Sequence, residues 1–290
     1  MDSDELFNLR QQFFTAQYEK VSEINIEEYF DESQTIAREY KLRSLLALNK
    51  HSEVLSEVSS GSDEFSKAFT LYTKHLKGDS SIEEEFNQLI SESGKSNWIV
   101  QLLGSFYLVS QEKFDEAINL LQRHEQQLEA VLLLTQLFIH QNKLESAEKE
   151  ISIASKYAND SIIFNLAEAY LNSIKNGDSL RGSLYFFEEL SHTNPSYKAL
   201  IGQLVLNLQL HQFPEADEVF RQLKELGIVK SDLIANEIAY ASITGDNETV
   251  VSKRAELEAL EPNHPFVTDL KAKNELFDSI VEKYSEQIVN

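Results

Sequence analysis

The chain has no Cys among its 290 residues. Disulfides and thiol metal sites are thereby excluded, and a reducing compartment fits. Nine Gly and four Pro are too few for the many turns of an all-β protein. Basic residues are scarce beside acidic ones, 26 against 48, for a net charge of −22. That balance argues against nucleic-acid binding, which needs Lys and Arg to displace counterions, and against docking on anionic lipid. Its plain meaning is solubility. Long apolar runs are missing too. The run from Ala130 to Leu134 is soon broken by Thr135 and Gln136. Nothing approaches the ~20 residues of a membrane helix, so no direct membrane insertion is expected. The opening Met1-Asp2-Ser3-Asp4-Glu5 is acidic where a signal peptide is basic, and the chain reads as cytosolic.

Catalytic and cofactor signals are equally thin. Gly94-Lys95-Ser96 looks like the end of a phosphate loop, but Leu89 stands where its first Gly would fall and no strand precedes it. The seven His include no pair at the i, i+4 spacing of a helical metal site. The run Glu83-Glu84-Glu85 reads as a solvated helix face rather than a catalytic dyad. The expectation is a non-enzyme without cofactor, metal or catalytic residue, whose function lies in binding.

What is present is a repeat. Between Asn97 and Ala154 the same unit occurs twice. The first copy carries Leu103, Gly104 and Tyr107, then Phe114, Ala117 and Leu121. The second carries Leu134, Thr135 and Phe138, then Leu144, Ala147, Ile151 and Ala154. Polar breaks, Ser110-Gln111-Glu112-Lys113 and Gln141-Asn142-Lys143, split each copy into two helices. Two helices pack closely only where small side chains meet, which is the reason for Gly104 against Ala117 and Thr135 against Ala147. This order of Leu, small, aromatic and Ala resembles the tetratricopeptide signature. Corresponding markers recur at Val21, Val54, near Ile82, and at Ser183, Ala216 and Val250. Their mean step of about 33 residues is close to the tetratricopeptide period. The predicted fold is all-α: a right-handed superhelical solenoid of about eight tetratricopeptide-like helix pairs plus a C-terminal capping helix. It is expected to form a single array over residues 1–290. The cap, 263–290, would cover the last apolar face with Leu270, Leu276, Phe277, Ile280, Val281 and Tyr284.

In such an array the first helix of each pair lines the concave face. By register, the second, fifth, ninth and twelfth places of each unit face inward. The candidate partner-binding residues are Trp98, Leu132, Gln136, Ile139, Phe164, Leu171, Ile201 and Leu208. Two readings stand side by side. A tightly curled array would bury these residues against neighbouring first helices. An open one would offer an apolar groove to an extended or β-shaped segment of a partner. Lys198 is the single Lys at the central groove places, with no Arg, so a clamp for a C-terminal carboxylate is not expected.

The chain ends carry a further resemblance. Asp4-Glu5-Leu6-Phe7-Asn8-Leu9-Arg10, Phe13-Phe14 and Ala16-Gln17-Tyr18 open the chain; His264-Pro265-Phe266, Lys271-Ala272-Lys273-Asn274-Glu275, Phe277-Asp278 and Tyr284 close it. Both stretches resemble the epsilon subunit of the coatomer, the COPI vesicle coat. The resemblance implies a non-catalytic coat subunit in Golgi-to-endoplasmic-reticulum and intra-Golgi transport, cytoplasmic and peripheral on Golgi membranes and COPI-coated vesicles. It implies binding to the C-terminal region of the alpha coatomer subunit, with the repeats closing round a projecting hairpin, and indirect association with other coatomer subunits. The alternative is another cytosolic tetratricopeptide scaffold.

Overall fold

The computed structural model describes residues 4–158, 160–175 and 177–288. Among them there are helices and no strand. The seventeen α-helices are α1 (Phe7–Phe14), α2 (Tyr18–Ser22), α3 (Asp31–Ala47), α4 (His51–Val58), α5 (Glu64–Leu76), α6 (Glu83–Ser93), α7 (Trp98–Ser110), α8 (Phe114–Leu121), α9 (Leu128–His140), α10 (Leu144–Ala154), α11 (Ile162–Ser173), α12 (Asp178–Thr193), α13 (Tyr197–Gln209), α14 (Phe213–Glu225), α15 (Ser231–Thr244), α16 (Asn247–Leu260) and α17 (Pro265–Ile288). They pair as α1/α2 through α15/α16, eight pairs, followed by α17.

The turn inside each pair has a fixed construction. One residue enters the left-handed backbone region at Ala16, Asn49, Gly78, Glu112, Asn142, Gly177, His211 and Gly245. In most of these turns the next amide reaches back to a carbonyl of the last helical turn: Lys113 N to Leu108 O at 2.9 Å, Lys143 N to Phe138 O at 2.7 Å, Gln212 N to Asn207 O at 2.9 Å. This closure satisfies carbonyls that a helix end leaves free. In six of the eight pairs the buried marker of the second helix comes five residues later: Val21, Val54, Ala117, Ala147, Ala216 and Val250. Turn and close contact are thus one rigid module, repeated. At the third pair Asp79 accepts from Ser81 N at 2.9 Å and caps the short turn that leads into α6.

Packing follows residue size. A Cβ on Gly104 would stand 2.9 Å from Ile90 Cγ1 and 3.2 Å from Leu120 Cδ2. The close approach is therefore made by these two side chains rather than directly by Ala117, which is nonetheless fully buried. In α13 the sizes are exchanged. Leu204 takes the place of Thr135, and Asn207 takes the place of Phe138; both are fully buried. Neither side-chain polar atom of Asn207 has a hydrogen-bond partner, at a cost of roughly 1–3 kcal/mol.

The chain forms two compact units, Met1–Ala199 and Leu200–Asn290. In the second, Ile234, Ile238, Ala241, Val250, Leu257 and Val267 make a core with Phe266 against it. Only the start of α17 covers this core. Leu276, Phe277, Ile280, Val281 and Tyr284, expected to lie on the capped face, are all exposed.

Candidate functional site

The inward-facing residues of the first unit meet at a buried polar cluster. Arg43 of α3 donates to Glu39 Oε1 at 2.8 Å and to Glu129 Oε2 of α9 at 2.7 Å. Tyr40 Oη donates to Glu129 Oε1 at 2.8 Å. The Arg43 guanidinium lies 4.5 Å from the centre of the Phe13 ring of α1, and the Trp98 indole donates to Glu39. Helices α1, α3 and α9 therefore meet at one guanidinium, and α7 joins the cluster through Glu39. Helix α1 also packs on α11. The first unit is curled until its opening helices rest on the inner side of α9 and α11.

Burial sets the electrostatics. Glu39, Arg43 and Glu129 are each less than a tenth exposed. Desolvation, reinforced by the nearby Glu129, pushes the Glu39 carboxyl up to about 7 against the opposing pull of Arg43. Burial also disfavours the Arg43 charge, but the two carboxylates overcome it and raise the guanidinium pKa further. Tyr40 is raised by burial and by Glu129. One Arg thus faces two buried acidic side chains, of which Glu39 is poised to take a proton near neutral pH. Such a cluster fixes geometry more than it adds stability, because desolvation offsets most of the attraction.

The candidate groove residues divide by depth. Leu132, Phe164, Leu171 and Leu208 lie 6%, 9%, 3% and 6% exposed. Trp98, Ile139 and Ile201 are half-buried, and Gln136 is exposed. Ile201 and Leu208 belong to the second unit, the other six to the first. In the first unit the row therefore has a buried floor, Leu132, Phe164 and Leu171, with Trp98, Ile139 and Gln136 reaching its surface. Lys198 is deeply set, and burial lowers its pKa.

The register missed Glu39 and Arg43, although the means of finding them were present. Counting back from the turn residue Asn49, as Leu132 and Gln136 count back from Asn142, puts Glu39 and Arg43 at the same fifth and ninth places. An Arg inside Leu42-Arg43-Ser44-Leu45-Leu46 is a second signal, since buried Arg demands a partner. Among the described residues there is no cluster suited to a metal ion and no helix long and apolar enough to cross a membrane.

Comparison with known proteins accords with this architecture. The family model described as coatomer epsilon subunit matches residues 2–285. The coatomer subunit epsilon of Saccharomyces cerevisiae is 26% identical, covering 96% of this chain and 98% of the relative. The probable coatomer subunit epsilon of Schizosaccharomyces pombe is 28% identical, covering 74% and 72%. The coatomer subunit epsilon of Caenorhabditis elegans is 22% identical, covering 96% and 98%. Among solved structures, a tetratricopeptide repeat protein from Parabacteroides merdae aligns with a TM-score of 0.60 at 13% identity. That alignment covers 87% of this chain and 96% of the other, and it bears out the helical-repeat fold. With a match that runs almost from end to end, this chain belongs to the coatomer epsilon subunit family.

Proposed function

We propose that this chain is a non-catalytic subunit of the COPI coat that binds the C-terminal region of the alpha coatomer subunit on the inner face of its first unit. Its place of work is then the cytoplasmic surface of Golgi membranes and COPI-coated vesicles, in Golgi-to-endoplasmic-reticulum and intra-Golgi transport. The observation that carries the reading is the family match over residues 2–285. The face itself adds chemistry. Trp98 and Ile139 offer apolar surface, and the exposed Gln136 offers an amide donor and acceptor beside them. This combination suits an extended partner segment with apolar side chains and free backbone groups. Leu132, Phe164 and Leu171 support the face from beneath.

The test is calorimetric titration of the purified chain with the C-terminal region of the alpha subunit. Gln136→Ala and Ile139→Asp weaken binding at least about tenfold, given anchors that contribute ~2 kcal/mol. Glu145→Ala, an exposed change on α10, leaves it unaltered, and melting temperatures report folding. Wild-type affinity in both inward variants would move the site to another surface. No binding by the unmodified chain would remove the proposed partner.

A further inference from the structure

Helix α17 leaves the body of its unit early. Phe266 and Val267 join the core of Ile234, Ile238 and Leu257, but every residue from 271 to 285 is exposed. Within that span Phe277, Ile280, Val281 and Tyr284 are 65%, 46%, 49% and 46% exposed. At helical spacing they share one stripe with Leu270, flanked by Leu276. Glu275, Asp278 and Glu282 lie on the opposite side. An apolar helical face of this length is rarely left in water.

We propose that this stripe docks against the same stripe of a second copy of the chain, with the two helices antiparallel. The seam Leu270, Lys273, Phe277, Ile280, Tyr284 has alternating spacings of three and four, the pattern of a two-helix contact. With the helices antiparallel and centred at the level of Glu275, Leu270 faces Ile280 of the second copy. The Lys273 stem crosses Phe277 of the second copy, and Asp269, level with Val281 of the second copy, reaches Lys283 at the edge of the seam, twice by symmetry. A parallel pairing would instead set Lys273 against its own counterpart and leave both Asp269–Lys283 pairs unmade. Asp269 already holds Lys273 at 2.6 Å within its own helix, which positions the carboxylate at the edge of the seam. A lipid surface suits the helix poorly, because α17 carries five acidic residues and three Lys.

The exposed apolar surface of the stripe is roughly 500 Å² per copy, below the ~800 Å² of a standard interface. The dimer is accordingly weak, with a Kd on the order of 10 μM. This inference is independent of the coat reading and of the inner face.

Sedimentation velocity on the full chain at near-physiological salt, up to about 200 μM, tests it. The expected result is a monomer–dimer equilibrium that Phe277→Asp abolishes without changing the melting temperature. Asp269→Lys and Lys283→Asp each weaken the dimer about threefold, and the double variant restores it, because opposite charges again face each other. A chain that stays monomeric throughout overturns the proposal. So does a dimer indifferent to Phe277→Asp, or one indifferent to the charge exchange. Flotation of a monomeric chain with phosphatidylcholine vesicles, lost in Phe277→Asp, overturns it in favour of a membrane surface.

Discussion

Replacing Arg43 with Met tests whether the inner face is as closed as described. The side chain makes one contact to Glu39 and one to Glu129, at 2.8 and 2.7 Å, and lies over Phe13. Met keeps the length and apolar stem but removes the charge and every donor. Two carboxylates, each under a tenth exposed, then lose their counter-charge. Breaking a buried ion pair from one side costs roughly 3–5 kcal/mol, which in a domain of this size lowers the melting temperature by about 10 °C. The loss depends on pH. Arg43 opposes the rise of the Glu39 pKa, so its removal raises that pKa further, and at pH 5 Glu39 is protonated in the folded state of parent and variant alike and adds no unpaired charge. At pH 8 the parent has Glu39 ionised beside Arg43, and the variant lacks that counter-charge, so the loss is greater than at pH 5. Thermal and urea melts of Arg43→Met and the parent at pH 5 and pH 8, followed by circular dichroism, measure both numbers. A loss under ~1 kcal/mol at pH 8 would show that water reaches the cluster. An equal loss at the two pH values would refute the protonation argument.

Three further outcomes follow from the same geometry. For Glu39, a folded-state pKa of about 7 against 4.5 means that the folded chain binds the extra proton. Its stabilisation is therefore largest at low pH and is lost as pH rises to 7; Glu39→Gln removes that slope and gains up to roughly 3 kcal/mol at pH 8 over the parent, as paired urea melts would show. Glu112→Gly and His211→Gly relieve left-handed backbone at φ 58° and 57° and raise stability by about 1 kcal/mol each in denaturant melts, whereas a loss would mean that those side chains hold their turns. Asn207→Leu removes an unpaired buried amide and raises the melting temperature of the second unit, unless the amide is needed to accommodate Leu204.

The fold was legible because each repeat is locally complete. The Leu-small-aromatic order, the polar break and the following Ala all lie within one helix pair, so spacing alone locates them. Even the degenerate units keep the turn geometry, as Gly78 and Gly245 show at the third and eighth pairs. What the signature failed to show at α13 has a physical reason. Leu204 and Asn207 trade volume across one turn of helix, and a compensated pair matches no single-position pattern.

Register in the sequence selected the candidate site residues and could not give their depth. Register along one helix names candidate positions: Glu129 meets Tyr40 and Arg43 of α3, and Leu132 and Phe164 are buried. Depth depends on curvature, the sum of small rotations between successive pairs, which no single pair records. Because the first unit curls far enough for α1 to meet α11, its inward positions are shared between floor and surface. The same reasoning explains α17 in the opposite sense. Its periodicity is that of a cap, and a cap was expected. A cap must have something beneath it along its whole length, and α16 supports only the first turns. Past the Lys271–Glu258 ion pair, the pattern of a buried helix persists although every described side chain is exposed. Periodicity reports that a face is suited to burial; the structure shows that among the described residues this one is left exposed.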